Sequence, residues 1–282
     1  MAVDATSITE LQLIIYTSYA LLLATPLIVV LLVNSASPYG RYTDAAEKRR
    51  RAASEEEKDT RVFASSVAIP ARVAWVLMEI PSLLVASYAF YAAPGANERS
   101  RAAPVNNALV AAFLAHYAQR SLVYPCLIRG GKPTPVSTFA MALGYCALNG
   151  YLQGRYLALC EPYPAAYFHS WNFVAGMGLF ACGMGVNLHS DHVLRSLRKP
   201  GDMGYSIPLG GMFRLLSAPN LFGELCEWSG FALACWSWPA LSFAALTAAN
   251  LVPRGVQHHR WYLRRFGNAY PAGRRAVIPF LL

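Results

Sequence analysis

The chain has 282 residues, of which 55% are apolar and 14% are charged, and its net charge is +9. Because a soluble domain is typically about 25% charged, this composition argues against a disordered chain and against a secreted disulfide scaffold. At about 20 residues for each membrane crossing, the chain has room for about seven spans and little else. The excess of basic over acidic residues could indicate nucleic-acid binding, but short basic loops between apolar runs are typical of an integral membrane protein.

Seven apolar stretches follow one another along the chain, and each predicts a transmembrane helix. The first is uninterrupted aliphatic sequence preceded by acidic residues, so we expect a span and not a signal peptide. The sixth contains prolines and glycines, which predict a broken or partly re-entrant helix. The stretches are Leu11–Val33, Val67–Ala92, Val105–Leu127, Ser137–Cys160, Tyr167–Asn187, Ile207–Cys226 and Ser229–Val252.

The positions of Lys and Arg predict the orientation, since these residues concentrate in cytosolic connections. If the N-terminus lies outside, 18 of the 24 fall in the inside connections and the C-terminal tail. The sequence therefore predicts an all-α, multi-pass membrane protein with seven transmembrane helices, the N-terminus outside and the C-terminus cytosolic. We expect residues 1–282 to form one integral-membrane domain, in a bacterial inner membrane or the endoplasmic reticulum. The first inside connection carries blocks of opposite charge from Lys48 to Arg61, typical of a solvated segment.

A charge at mid-membrane costs ~2.5–3.5 kcal/mol even on the lenient insertion scale, so each one within a span is a candidate functional residue. Glu79 lies about midway along the second span and is followed by Pro81. A desolvated carboxyl group favours its neutral form, which can donate a hydrogen bond to a carbonyl group. The alternative is a structural Glu79 that bonds to a neighbouring helix.

Tyr117, Arg120 and Tyr124 in the third span are spaced i, i+3 and i+7, so they share one helix face. Tyr117 lies beside His116, and we expect it to line a polar cavity with Arg120. Tyr124 taken alone is more typical of an interfacial anchor.

Asn187, Asp191 and Arg198 fall within about 40° on a helical wheel. This polar stripe begins inside the fifth span and runs toward the basic side, so it could bind a ligand that bears phosphate and amide groups. A solvated helix face would explain Arg198, but not Asn187 and Asp191 so near the apolar run.

Two further polar faces lie on consecutive helices: Asn220, Glu224 and Glu227 on the first, and Arg254, His258 and Tyr262 on the second. The two faces could compensate each other's charge, which would be a structural role. The cationic stripe also fits a pyrophosphate and an adenosine phosphate.

A glycine-rich run, GMGLFACGMG, starts at Gly176 inside an apolar helix. It lacks the preceding strand of a dinucleotide-binding fingerprint, so we expect its small residues to let two helices approach closely. The six cysteines all fall in or at the end of apolar stretches, where we expect them to be buried and reduced. No Cys/His spacing predicts a metal site.

Four motifs in the C-terminal half resemble the steroid 5α-reductase family: GMGVNLHSDHVLRSLRKPG, GYSIPLGGMF, APNLFGELCEW and HHRWYLRRFG. Weaker matches, in SPYGRYT, RVAWVLMEIPS and HYAQRSLVYPCLIRGGKPTP, extend the resemblance over about Ser37 to Leu282. The resemblance implies an NADPH-dependent 3-oxo-5α-steroid 4-dehydrogenase with seven membrane helices and a cofactor site that faces the cytosol.

The resemblance also implies roles for individual residues. Glu79 and Tyr117 would hydrogen-bond the 3-oxo group of the steroid. Residues 11–160 would mainly form the substrate pocket and residues 167–282 would mainly bind NADPH. The residue before Glu79 is Gln in some animal members and Met78 here, which removes a polar contact. The cofactor-binding residues would be Arg120, Tyr124, Asn187, Asp191, Arg198, Tyr205, Asn220, Glu224, Arg254, His258 and Tyr262.

We therefore predict reduction of the Δ4 double bond of 3-oxo-Δ4 steroids, with hydride delivered to C5. Two alternatives remain open: a reductase of another conjugated lipid, such as a polyprenal or an enoyl thioester, and an ion-coupled membrane transporter. The absence of inverted repeats argues against a transporter, and methyl transfer is a weaker third reading. The expected partners are a steroid or similar lipid and membrane lipids, with no nucleic acid and no metal, and a monomer is compatible with the sequence.

Overall fold

The computed structural model describes residues 5–34, 68–129, 131–198 and 205–282. The charged connection from Lys48 to Arg61 lies outside these residues. Nine α-helices account for most of the described chain. They are α1 (Ala5–Asn34), α2 (Ala71–Ser87), α3 (Glu98–Ala102), α4 (Pro104–Ala118), α5 (Tyr124–Leu127), α6 (Val136–Leu159), α7 (Trp171–Ser196), α8 (Pro219–Cys235) and α9 (Trp238–Phe266).

Two π-helical segments extend this series. Tyr88–Ala92 continues α2, and Gln119–Val123 joins α4 to α5, so that residues 104–127 form one continuous rod. Short 3₁₀ turns lie at Ala165–His169, Gly211–Arg214 and Gly267–Ala269. In addition, β1 (Ala68–Ile69) pairs antiparallel with β2 (Thr134–Pro135), with Ala68 opposite Pro135.

The described fold is all-α apart from that two-residue ladder, as predicted. Three of the described helical segments are long and apolar enough to cross a membrane: Thr9–Val33, Ala71–Ala92 and Trp171–Ser196. The seven-span count and the orientation of the termini stay predictions.

The structure corrects the boundaries of the last two predicted spans. Residues 205–218 contain the short 3₁₀ turn at Gly211–Arg214 but no α-helix, and α8 begins only at Pro219. Proline is favoured there because its missing N–H is not needed in the first turn. The break before α9 lies at Trp236, which has a positive φ of 47°, and not between Cys226 and Ser229. Hydropathy misplaced this break because the sequence is apolar on both sides of it.

Helices α7 and α8 pack closely along glycines. A Cβ atom on Gly176 would lie 2.6 Å from the carbonyl oxygen of Gly230, and one on Gly223 would lie 2.7 Å from that of Gly183. The two helices are therefore antiparallel and touch backbone to backbone at both points. This confirms the prediction that the small residues serve close helix packing.

The core of the bundle is aromatic and centres on Trp228 of α8. The indole is 1% exposed and packs at 4.3 Å from Phe243 of α9, 5.8 Å from Phe113 of α4 and 6.2 Å from Phe180 of α7, measured between ring centroids. Because one side chain touches three other helices, the core fixes α4, α7, α8 and α9 relative to one another.

Helix α1 lies at the edge of this core and is held by polar contacts. The Arg155 guanidinium on α6 donates to the two carboxylate oxygens of Glu10 at 2.8 and 2.6 Å, and also to the carbonyl of Pro94 at 2.8 Å. At the other end, the side-chain amide of Gln257 on α9 donates to the Leu32 carbonyl at 3.0 Å.

The six cysteines are all free, but the prediction that all are buried is wrong. Cys126 and Cys182 are exposed on outward-facing helix surfaces, whereas Cys146, Cys160 and Cys235 are buried. Apolar sequence does not separate these two cases, because in a membrane bundle the outer surface is as apolar as the interior.

The close approach of α7 and α8 predicts the effect of added volume. In the Gly176→Ala variant the new methyl group would lie 2.5 Å from the backbone nitrogen of Ala234, so the helices must separate. Overpacking of this kind costs about 1–3 kcal/mol, and we expect a lower midpoint of thermal unfolding in detergent. Gly178→Ala is the matched control, because a Cβ there has no atom within 4 Å. Equal midpoints for the two variants would contradict the packing.

Candidate active site

A polar cluster lies between α2, the rod of residues 104–127, α7 and α8, and Arg120 is its centre. The Arg120 guanidinium is 8% exposed, and its Nη1 lies 3.4 Å from Oδ2 of Asp191 on α7. Glu79 of α2 and Glu224 of α8 are within electrostatic range of the same guanidinium. Four elements therefore contribute charge to one place, as expected if these residues form a common site.

The Arg120 guanidinium is also held by two aromatic rings. Its central carbon lies 4.7 Å from the ring centroids of both Trp75 and Tyr124. The indole N–H of Trp75 donates to the Arg120 backbone carbonyl at 3.1 Å. Cation–π contacts of this kind stabilise a desolvated cation, so Tyr124 belongs to the cluster.

Asn187 and Asp191 face α8, as their i, i+4 spacing predicts. The Asn187 amide donates to the backbone carbonyl of Asn220 at 2.9 Å, and the Asn220 amide donates to Oδ1 of Asp191 at 3.2 Å. The close approach at Gly223 places the two helices within reach of these bonds. Asp191 is thus held between Asn220 and Arg120.

Tyr117 marks the boundary between this cluster and the aromatic core. Its ring packs against Phe113 at 4.7 Å and Trp228 at 5.8 Å, and its hydroxyl accepts a hydrogen bond from the Asn149 amide at 3.4 Å. Glu79 lies within electrostatic range of that hydroxyl. The two predicted catalytic side chains therefore approach the same space from different helices.

Glu79 is half-buried although it lies midway along α2, within the bundle. It is within electrostatic range of Arg120, Glu224 and His116. Among the described residues its carboxyl group has no hydrogen-bond partner. No hydrogen bond among the described residues therefore ties the Glu79 carboxyl group to a neighbouring helix.

His116 and Glu227 form a buried pair that the sequence did not reveal. Imidazole Nδ1 lies 2.7 Å from Oε1 of Glu227, and both side chains are almost fully buried. The other oxygen, Oε2, has no partner among the described residues. The described partner of Glu227 therefore comes from α4, whereas one of the two alternatives had this face compensated by the cationic stripe around Arg254.

Two further predicted cofactor residues, Arg198 and Tyr205, follow α7 in the chain. Arg198 at the end of α7 donates to the Arg129 carbonyl at 2.8 Å. Tyr205 packs edge-on against Trp261 at 4.9 Å. Arg198 is also within electrostatic range of Tyr124, which links it to the Arg120 cluster.

Arg254, His258 and Tyr262 lie on the C-terminal part of α9. Burial lowers the pKa of Arg254, which lies beyond the predicted seventh span, to about 10, because desolvation disfavours the charged form. Arg254 therefore remains cationic at neutral pH. The Tyr262 ring is buried and stacks on Tyr270 at 5.2 Å, with 7° between the ring planes.

Arg274, which the sequence did not single out, completes this C-terminal group. It is buried, lies over the Tyr270 ring at 5.1 Å and donates to the Pro208 carbonyl at 2.9 Å. Its Nε and Nη1 groups have no partner among the described residues. Unpaired guanidinium N–H groups are the donors that a phosphate would satisfy, so this region fits an anionic cofactor.

The family described as 3-oxo-5-alpha-steroid 4-dehydrogenase matches residues 132–282. The human protein named 3-oxo-5-alpha-steroid 4-dehydrogenase 1 is 50% identical over 213 residues, which cover 76% of this chain and 81% of the human one.

Two further relatives extend the similarity over more of the chain. The Bos taurus 3-oxo-5-alpha-steroid 4-dehydrogenase 1 is 46% identical over 253 residues, or 90% of this chain and 91% of its own. The Sus scrofa 3-oxo-5-alpha-steroid 4-dehydrogenase 2 is 41% identical over 245 residues, or 87% of this chain and 88% of its own. These matches confirm the resemblance seen in the motifs, and the chain belongs to the 3-oxo-5α-steroid 4-dehydrogenase family, the steroid 5α-reductases.

Proposed function

We propose that the protein reduces the Δ4 double bond of 3-oxo-Δ4 steroids with NADPH, giving 5α-reduced 3-oxo steroids. The observation that carries the proposal is the position of Tyr117, whose ring packs in the aromatic core while its hydroxyl lies within electrostatic range of Glu79. An apolar substrate with one carbonyl group fits such a boundary, because its rings can lie against aromatic side chains while its oxygen reaches hydrogen-bond donors.

The proposed chemistry depends on Tyr117 and Glu79 at the 3-oxo oxygen. As hydride reaches C5, negative charge develops on that oxygen, and two hydrogen bonds to it lower the barrier. The resulting enolate of the steroid takes up a proton at C4, which completes the reduction. This role requires a neutral Glu79, since an ionised carboxylate only accepts hydrogen bonds.

Charge balance in the cluster supports a neutral Glu79. Arg120 faces Asp191, Glu224 and Glu79, and Arg195 lies within electrostatic range of Asp191. Asp191 is the carboxylate that pairs with the Arg120 guanidinium at 3.4 Å, and a buried charge is stable only when it is paired. The Glu79 carboxyl group has no such partner among the described residues and is best accommodated without a charge.

NADPH would be held by the predicted cofactor residues together with Arg274. Arg198, Arg254 and Arg274 supply guanidinium groups for the phosphates, and Asn187 and Asn220 hold Asp191 in place beside Arg120. When bound, NADPH supplies the hydride, while the protein supplies orientation and an electrostatic environment.

We further propose that the chain crosses the membrane seven times, with the cofactor site facing the cytosol and the steroid entering from the lipid. The distribution of basic residues supports this orientation.

The proposed reaction is tested by product chromatography of the purified protein with NADPH and a panel of 3-oxo-Δ4 steroids. We expect 5α-reduced 3-oxo products and matching oxidation of NADPH. The same assay with a polyprenal and an enoyl thioester separates the steroid from other conjugated lipids. Reduction of those lipids without reduction of any steroid would contradict the proposal.

The roles of Tyr117 and Glu79 predict the kinetics of two conservative variants. Tyr117→Phe and Glu79→Gln should each lower kcat by about 100-fold, the typical cost of removing one donor to a developing oxyanion. Binding of NADPH, measured by titration, should change little. The controls are Tyr91→Phe and Glu98→Gln, whose side chains are exposed, and wild-type turnover by either site variant would remove that residue from the site.

If Arg198 and His258 bind the cofactor, their replacement should change the affinity for NADPH. Arg198→Ala should weaken NADPH binding by about tenfold, because a charged hydrogen bond to phosphate is lost, and His258→Ala should also weaken it. Steroid binding should be unaffected in both variants. Arg99→Ala is the matched control, since Arg99 is exposed in a connection predicted to lie on the opposite side. Unchanged NADPH affinity in a site variant would contradict its assignment.

A further inference from the structure

Two buried side-chain amides on α6 form a hydrogen-bond chain behind Tyr117. The Gln153 amide nitrogen donates to the backbone carbonyl of Pro239 at 2.9 Å and to Oδ1 of Asn149 at 3.1 Å. The Asn149 amide nitrogen in turn faces the Tyr117 hydroxyl at 3.4 Å. Both amides are almost completely buried within α6.

The donor-to-acceptor direction of these hydrogen bonds is fixed at the Pro239 end. The Pro239 oxygen is a backbone carbonyl and can only accept, so the Gln153 group facing it must be the amide nitrogen. That nitrogen also donates to Asn149, whose oxygen is thereby occupied. The Asn149 amide nitrogen must therefore face Tyr117, and an amide nitrogen only donates.

The Tyr117 oxygen is thus an acceptor from Asn149, and its own proton must point elsewhere. The Ser82 hydroxyl lies near Tyr117, but its proton is donated to the Cys146 carbonyl at 2.9 Å. Ser82 can therefore accept from Tyr117 but cannot donate to it. Both neighbours favour Tyr117 in the donor orientation that a ketone oxygen requires.

We propose that Gln153 and Asn149 are positioning residues that hold Tyr117 as a hydrogen-bond donor to the substrate ketone. This inference rests on the proposed steroid reduction. It gives a reason for two amides in the bundle interior, where a purely structural link between α6 and α9 would need only the bond from Gln153 to Pro239.

The test uses Asn149→Asp, because the carboxyl group changes from donor to acceptor with pH. When protonated, Asp can donate to Tyr117 as the amide does. When ionised, the carboxylate can only accept, so the Tyr117 hydroxyl donates its hydrogen bond to that carboxylate and not to the substrate. We expect kcat of this variant, divided by wild-type kcat, to fall by about tenfold or more as pH rises, with NADPH affinity unchanged.

Dividing by wild-type kcat at each pH cancels the effect of the other titratable groups around Tyr117. Glu79, Cys146 and Tyr145 lie near Tyr117, and the ring of His116, which pairs with Glu227, lies 5.1 Å from the Tyr117 ring. These groups are present in both proteins. Asn149→Leu, which has no proton to lose, should show a reduced kcat and a ratio that does not change with pH.

Asn106→Asp is the matched control for a buried amide outside the site. The Asn106 amide donates to the Leu157 carbonyl at 2.9 Å and accepts from the Tyr163 backbone at 3.1 Å. Its replacement should lower stability, while kcat per folded molecule stays at the wild-type level. If the role of Asn149 were purely structural, Asn149→Asp would likewise lower stability and leave kcat per folded molecule at the wild-type level.

A double-mutant cycle with Tyr117→Phe shows whether Asn149 acts through Tyr117. In that background Asn149→Asp should cause no further loss, because the hydroxyl that it orients is absent. A full additional loss would overturn the proposal, and so would wild-type kcat for Asn149→Leu, which cannot donate a hydrogen bond at any pH. If neither Asn149 variant folds, Gln153→Met provides the test. This variant loses the hydrogen bond from Gln153 to Asn149, so kcat should fall by about threefold or more. Unchanged kcat would overturn the proposal.

Failure of the steroid assay is a separate outcome. If wild-type protein reduces no 3-oxo-Δ4 steroid, the proposed function is wrong whatever the variants do. If wild type is active and the Asn149 and Gln153 variants match it, only the positioning role is wrong.

Discussion

The buried guanidinium of Arg120 is the constraint on which the site depends. A cation desolvated in a helix bundle requires compensation from neighbouring elements, and Arg120 receives it from Asp191 on α7 and from the rings of Trp75 and Tyr124. These contacts bind α2, the rod of residues 104–127 and α7 to one another. Glu79 is brought into the same space by its helix, not by a bond of its own.

The second determinant is backbone proximity between α7 and α8. Gly183 and Gly223 lack the Cβ atoms that would separate the helices, and the short distance lets Asn220 on α8 reach Asp191 on α7. Packing and chemistry are therefore linked, since the same close approach that stabilises the helix pair also orients the carboxylate facing Arg120.

Spacing along one helix was enough to predict part of this arrangement. The i, i+4 pattern placed Asn187 and Asp191 on one face, and the glycines predicted close packing, because both properties are local to a helix. Pairing across helices was not predictable. The bonds between His116 and Glu227 and between Asn149 and Tyr117 join residues 111 and 32 positions apart, and no single-helix pattern encodes which helices become neighbours. Hydropathy likewise could not place the break at Trp236.

We propose that hydride is transferred to C5 of an enone whose 3-oxo group is held by Tyr117 and Glu79. This transfer is tested most directly by reduction of a 3-oxo-Δ4 steroid with NADPH deuterated at the transferable position of the nicotinamide. In ordinary water, we predict that the product carries one deuterium at C5, and that the hydrogen added at C4 comes from solvent, as shown by the reverse labelling in heavy water. Deuterium from the cofactor at C4, or a reduced product without label, would contradict the account.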